Sequence, residues 1–138
     1  SEFNVNFVTT MLKLGIVRNQ LSIVSDQVGT PTYAVDLAKT ILTITQNETF
    51  IKPNQPTQIY HYSNLGSCSW FDFAKKIFEL TDINCKITSI KTKDYKSDAK
   101  RPLHSLMNKD KIINTFDLNI LNWKESLNAC LSEINKIK

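Results

Sequence analysis

A chain of 138 residues with 41% hydrophobic and 22% charged side chains is one domain, or part of one, with enough apolar content for a core. Its net charge of +4 is spread along the chain, and the densest group (Lys91, Lys93, Lys96, Lys100, Arg101) is interrupted by Asp94 and Asp98. That pattern argues against nucleic acid as a partner and favours a small phosphorylated molecule. No apolar run approaches the ~20 residues of a membrane helix. The amino terminus lacks the basic region and apolar core of a secretion signal. Three scattered cysteines without a CxxC pair suit a reduced, cytoplasmic protein rather than a disulfide framework.

In chain order, Phe7, Val8, Met11, Leu12 and Leu14 predict an amphipathic helix over residues 3–14, with Asn4 or Asn6 as its cap and Gly15 closing it in a left-handed conformation. Residues 21–25, LSIVS, are expected to form a buried strand. A polar loop over 26–32 follows, and Val35, Leu37, Ala38, Ile41 and Leu42 then mark a helix from about Tyr33 to Thr45, with Thr32 or Asp36 as candidate cap. Residues 46–58 hold Pro53 and Pro56 and are expected to be loop. Residues 59–63, IYHYS, suggest a short strand by aromatic and β-branched content. Ser69 with Asp72 three residues on resembles a capping box before a helix that carries Trp70, Phe73, Ala74, Ile77 and Phe78 and ends near Thr81-Asp82. Residues 85–90 alternate as a half-exposed strand, and 91–106 make an extended charged loop. Asn108 and Asn122 are candidate caps for two last helices, the second with Glu125 at its capping-box position and Trp123, Leu127, Cys130, Leu131 and Ile134 on one face.

Strand, polar loop, helix over 21–45 is the unit that sets a ligand loop at the carboxyl end of a strand. The loop 26–32, DQVGTPT, has more hydrogen-bonding side chains than a connection needs, although ordinary turn chemistry also uses these residues. From Asp26 to Ala38 the chain spells DQxGxPTYxxDLA, which resembles the signature of the dTDP-4-dehydrorhamnose reductases, a family of extended short-chain dehydrogenases. SEFNVNFVTTMLKLG is similar to the family's S-x-F-G-x-N-F-V-x-T-M-L, with Asn4 where the family often has Gly. IYHYSNLGSCSWFDFAKKIFEL is similar to its I-Y-H-x-S-x-x-G-x-x-S-W-x-D-F-A-x-x-I-F, and Arg101-Pro102-Leu103-His104-Ser105 to its R-P-x-x-S. The resemblance covers nearly the whole chain.

It implies an α/β fold: the carboxyl-terminal portion of an extended short-chain dehydrogenase (Rossmann-like), with a few short strands, four or five helices, and the amino-terminal nucleotide-binding part absent. Residues 1–138 would be a single substrate domain. In the intact enzyme the reaction would be reduction of dTDP-4-dehydro-L-rhamnose to dTDP-L-rhamnose with NADPH or NADH. The resemblance places Asn6 and Phe7 beside the sugar nucleotide, and Asp26, Gln27, Gly29, Thr30, Pro31 and Thr32 along its pocket. Arg101 is assigned to the diphosphate, because a guanidinium offers a planar fork of donors and Pro102 restrains the backbone before it. Phe7 has a competing reading as a core residue.

Other candidates carry less. His61, between two tyrosines, suits a packed structural role, and His104 flanks the Arg101 segment. Neither has ligand-spaced partners, so no metal site is assigned. Cys68 has no activating base in view, and Asp26 and Asp36 do not form an acid–base pair. The set Trp70, Phe71, Phe73, Phe78 is expected to be core, with Phe71 the exposed member.

The sequence contains no Gly-rich dinucleotide turn and no Y-x-x-x-K: Tyr95 has Ala99 four residues on, and Tyr62 has Gly66. No catalytic residue is therefore assigned to this chain, no cofactor is expected on it, and it is expected to be inactive by itself. Separated from a partner half, it could expose an apolar face and form a homodimer. The alternatives are another NDP-sugar epimerase or dehydratase of the superfamily, or a non-catalytic relative such as the regulatory subunit of methionine adenosyltransferase.

Overall fold

The computed structural model describes residues 6–51, 56–97 and 99–136. The expectations for Ser1 to Asn4, Pro53 and Asp98 lie outside the described residues. Helix α1 (Phe7–Val17) leads to strand β1 (Gln20–Val24), and a two-residue strand β2 (Val28–Gly29) precedes helix α2 (Ala34–Thr45) and the single turn α3 (Glu48–Ile51). Then come β3 (Cys68–Ser69), α4 (Trp70–Thr81), β4 (Lys86–Ile90), α5 (Asp110–Phe116) and α6 (Trp123–Lys136). This is the expected α/β architecture, with five helices of seven residues or more and strands of two to five.

Two small sheets organise it. Strands β1 and β4 pair in parallel, Gln20 opposite Lys86 through Val24 opposite Ile90. Strands β2 and β3 pair antiparallel, Val28 opposite Ser69 and Gly29 opposite Cys68. The main core packs Leu21 and Ile23 of β1 against Met11 of α1, Phe73, Ala74, Ile77 and Phe78 of α4, and Trp123, Leu127 and Leu131 of α6. A satellite cluster gathers Ile112, Phe116 and Ile120, with Ile44, Tyr60 and Tyr62 against it.

Local signals place several helix ends, though not the start of α5, where Lys109 and not the expected Asn108 is the N-cap. Asn6 caps α1: its side chain accepts from the Thr9 amide at 3.0 Å, and its own amide donates to Thr9 Oγ1 at 3.1 Å. Ser69 and Asp72 form the same reciprocal box on α4, which ends at Asp82 with φ 51°. The Asn122 amide donates to Glu125 Oε2 at 2.9 Å.

Several expectations are corrected. Gly15 does not close α1 in a left-handed turn; the helix continues through it to Val17. A Cβ there would lie 2.8 Å from both Ile83 Cγ2 and Phe78 Cε1, so glycine serves the close approach of α4. Residues 59–63 form no strand, because a strand needs a neighbouring edge and this segment pairs with none; Tyr60 and Tyr62 pack on the satellite cluster instead. Within the expected loop 46–58, Glu48–Ile51 makes a helical turn that opens with the Phe50 amide on the Asn47 carbonyl at 3.0 Å. His61 is exposed rather than packed.

Helix α2 is anchored at its start more than along its length. Thr40 is its buried residue, while Val35, Leu37, Ile41 and Leu42 are all exposed, so its apolar stripe faces outward. Neither Thr32 nor Asp36 caps it: Tyr33 is the N-cap, without a side-chain cap bond.

Candidate functional site

The exits of β1 and β4 lie side by side because the strands run parallel, and the Ser25 amide extends their pairing to the Ile90 carbonyl at 3.0 Å. There the loop after β1 is tied down. Asp26 Oδ1 accepts from the Thr92 amide at 2.9 Å and from Thr92 Oγ1 at 2.7 Å. The Thr92 hydroxyl bond, first among the causes, holds the Asp26 carboxyl below its ordinary value. Gln27 Nε2 donates to Thr92 Oγ1 at 3.2 Å.

Val28 then sits between two extended segments. On one edge it pairs with Ser69; on the other its amide donates to the Leu103 carbonyl at 2.7 Å and its carbonyl accepts from the Ser105 amide at 3.0 Å. This second pairing carries the Arg101 segment back beside the 26–32 loop. Gly29 permits the approach, since a Cβ there would lie 2.7 Å from Ser105 Oγ.

A cleft of about 310 Å³ results, lined by residues 27–31, by Cys68, Ser69, Trp70 and Phe73, and by Arg101, Pro102 and Ser105. Arg101 is exposed, and among the described residues no carboxylate pairs with it. A second cleft of about 370 Å³ adjoins the first, sharing Pro31, Trp70 and Phe73. Its lining includes Asn6, Phe7, Thr32, Tyr33, Trp123 and Leu127. Aromatic rings form a continuous run along it: Trp70 to Phe7 at 4.7 Å, Phe7 stacked on Phe73 at 5.5 Å, and Phe73 edge-on to Trp123 at 5.7 Å. One end of the combined groove is cationic and rich in hydrogen-bonding groups; the other is aromatic.

Of the residues proposed from sequence, Gln27, Gly29, Thr30, Pro31 and Arg101 line the first cleft, and Asn6, Phe7, Pro31 and Thr32 the second. Asp26 lines neither; its carboxylate is occupied by Thr92. Phe7 both packs on the main core and lines the groove. Trp70 is 38% exposed, and Phe71 packs against the core, the reverse of the expected arrangement. An aromatic residue at the first position of a capped helix, facing a polar loop, was the available signal for Trp70. Burial pushes the Cys68 thiol up to about 12, with Asp72 adding to it, so at neutral pH it is a protonated thiol and no nucleophile. His104 contributes backbone, through its bridge to Val28. Among the described residues no group of His, Cys, Asp and Glu could hold a metal ion, and no helix is long and apolar enough to cross a membrane.

Sequence reasoning also missed Asn64. Fully buried, it accepts from the Tyr33 amide at 2.8 Å and reaches Asp36 Oδ2 at 2.9 Å, Ser126 Oγ at 2.8 Å and the Leu121 carbonyl at 3.2 Å. Ser126 Oγ also donates to Asp36 Oδ2 at 2.5 Å. No local pattern points to such a node, whose partners come from two helices and a loop.

Among proteins of known sequence, the chain is 37% identical over 128 residues to the spore coat polysaccharide biosynthesis protein SpsK of Bacillus subtilis, covering 93% of this chain and 42% of that protein. It is 35% identical over 130 residues to a dTDP-4-dehydrorhamnose reductase of Sinorhizobium fredii, covering 91% and 44%. Among solved structures, a dTDP-4-dehydrorhamnose reductase from Clostridium acetobutylicum superimposes with a TM-score of 0.84 at 36% identity, covering 96% of this chain and 45% of that one. The Bacillus anthracis dTDP-4-dehydrorhamnose reductase, solved in complex with NADP, gives 0.79 at 36% identity, covering 94% and 43%. The chain thus spans less than half the length of these relatives. The model of the RmlD substrate binding domain matches residues 1–136, and the chain belongs to that family.

Proposed function

We propose that this chain, as one domain over residues 1–138, is the sugar-nucleotide-binding part of a dTDP-4-dehydrorhamnose reductase. The observation that carries the reading is the Arg101 guanidinium, unpaired among the described residues, at the polar end of a groove whose other end is aromatic. A diphosphate suits the first end, because a planar fork of charged donors matches phosphate oxygens two at a time. A nucleoside base or sugar face suits the aromatic run. Gln27, Gly29, Thr30 and Pro31 flank the diphosphate, Asn6, Phe7 and Thr32 line the neighbouring cleft, and Asp26 holds the loop to Thr92.

In the whole enzyme, reduction of the C4 ketone of dTDP-4-dehydro-L-rhamnose requires a hydride on carbon and a proton on oxygen, giving dTDP-L-rhamnose. A reduced nicotinamide, NADPH or NADH, supplies the hydride when bound. No residue of this chain is assigned to it: Gly15 lies inside α1, Gly29 in β2 and Gly66 in a turn, so none opens a helix at a strand end as a dinucleotide cradle requires. What this chain contributes is binding and orientation. By itself it should not oxidise NADPH at an enzymatic rate.

The test is a calorimetric titration with dTDP, and with UDP as comparison. Saturable binding that favours dTDP and weakens in Arg101→Ala is the expected result. Absence of saturable binding, both to this chain and to a chain extended upstream, would overturn the reading.

A further inference from the structure

The groove's loop is held from behind by one short turn, residues 64–66. Asn64 Oδ1 accepts the Tyr33 amide at 2.8 Å, and the Gly66 carbonyl accepts Thr30 Oγ1 at 2.6 Å. These two bonds bracket Pro31 and Thr32, the stretch of wall that passes from one cleft to the other. The turn's opposite side is fixed to the start of α6. The Leu65 amide donates to the Leu121 carbonyl at 2.9 Å, and the Trp123 amide to the Leu65 carbonyl at 2.9 Å. Gly66 has φ +81°, and a Cβ on it would lie 2.8 Å from Asn122 Nδ2 and 3.0 Å from Trp123 Cδ1, so the turn sits flush against that helix end. The Asn64 amide closes the unit by reaching Asp36 and Ser126, which joins the first turn of α2 to α6.

We propose that the turn 64–66 is a positioning element that sets residues 30–33 against α6 and so fixes the passage between the two clefts. This rests on the proposed ligand role of the groove, but its geometry does not. Two separate bonds to consecutive parts of the loop exceed what a connection between α3 and β3 needs. Asn64 is fully buried with every polar atom engaged, and Oδ1 is the acceptor for the Tyr33 amide, so breaking that bond would leave a buried carbonyl oxygen unpaired. Held this way, the wall loses little conformational freedom when a ligand arrives.

Amide exchange of Tyr33, followed by NMR in the 138-residue chain without ligand, tests the element. Thr30→Val keeps the side-chain shape and removes the bond to Gly66; it should speed Tyr33 exchange about fivefold, the worth of one hydrogen bond. Amides of β1 and α4 should keep their rates, and Thr30→Ser, which retains the hydroxyl, should restore the Tyr33 rate. Asn64→Asp should give a larger local effect, because it replaces a donor facing Asp36 with an acceptor. Unchanged Tyr33 exchange in Thr30→Val, a rise spread evenly over the chain, or no rescue by Thr30→Ser would overturn the proposal. The readout contains no ligand. A failure of dTDP to bind both this chain and the chain extended upstream would therefore remove the sugar-nucleotide reading and leave this one, whereas an unmoved Tyr33 amide would remove this one whatever binds.

Discussion

The two sides of the first cleft are built differently. The loop 26–33 is fastened by side chains at nearly every step: Asp26 and Gln27 to Thr92, Thr30 to Gly66, and the Tyr33 amide to Asn64. The segment 101–105 is attached by backbone pairing to Val28 and by one longer hydroxyl bond from Ser105 at 3.4 Å, and its charged side chain is exposed. One wall is set before any ligand arrives; the other presents a long cation that can adjust. That division suits an anion, whose attraction to a guanidinium tolerates small shifts better than the shape fit of a ring tolerates a moving wall.

The comparison breaks most severely if the floor common to both walls is removed. Phe73 is buried, touches Phe7 and Trp123, and lines both clefts. Phe73→Ala should cost about 3–5 kcal/mol of stability, visible as a shifted urea midpoint, and should loosen both walls together. Arg101→Ala should separate them. Loss of a charge-assisted contact is worth about 1.5–3 kcal/mol, so dTDP affinity should fall about tenfold or more while the melting temperature stays put. Arg101→Lys should recover only part of that loss, and a melting temperature that drops with either variant would mean that Arg101 supports the fold. Ser69→Ala is milder. Its hydroxyl accepts from the Asp72 amide at 3.1 Å, and losing a cap of this kind costs about 1 kcal/mol. A urea midpoint equal to that of the unaltered chain would show that the Ser69 cap adds nothing.

What the sequence made legible follows the range of the interactions. The capping box at Ser69 closes over three residues, so spacing alone revealed it; at α1 the sequence offered Asn4 or Asn6, and the reciprocal box at Asn6 with Thr9 was not read. The two parallel strands were expected from composition, but not their pairing, which joins positions about 66 apart. Gly15 was misjudged because the demand on it comes from Phe78 and Ile83 and not from its own helix. Residues 59–63 have strand composition without a partner edge. The Asn64 node bridges separations of 28, 57 and 62 residues, beyond any periodicity. The candidate binding residues came from resemblance; the juxtaposition of Arg101 with the loop depends on Val28 pairing with the segment at His104.

The smallest effect concerns the anchored wall alone and is read by pH. Thr92 donates two hydrogen bonds to the ionised Asp26 carboxylate, which lowers its folded pKa from the ordinary 3.8. A carboxyl depressed on folding contributes stability that is complete above its unfolded pKa and disappears as pH falls through the folded one. Asp26 should therefore contribute its share at pH 5 to 7 and lose it progressively on acidification below about 4. Asp26→Asn should lower the urea midpoint slightly at neutral pH, and the gap to the unaltered chain should shrink toward pH 3. If the gap is the same at both ends of that range, the Thr92 bonds act as ordinary polar contacts and the ionised form is not what they select.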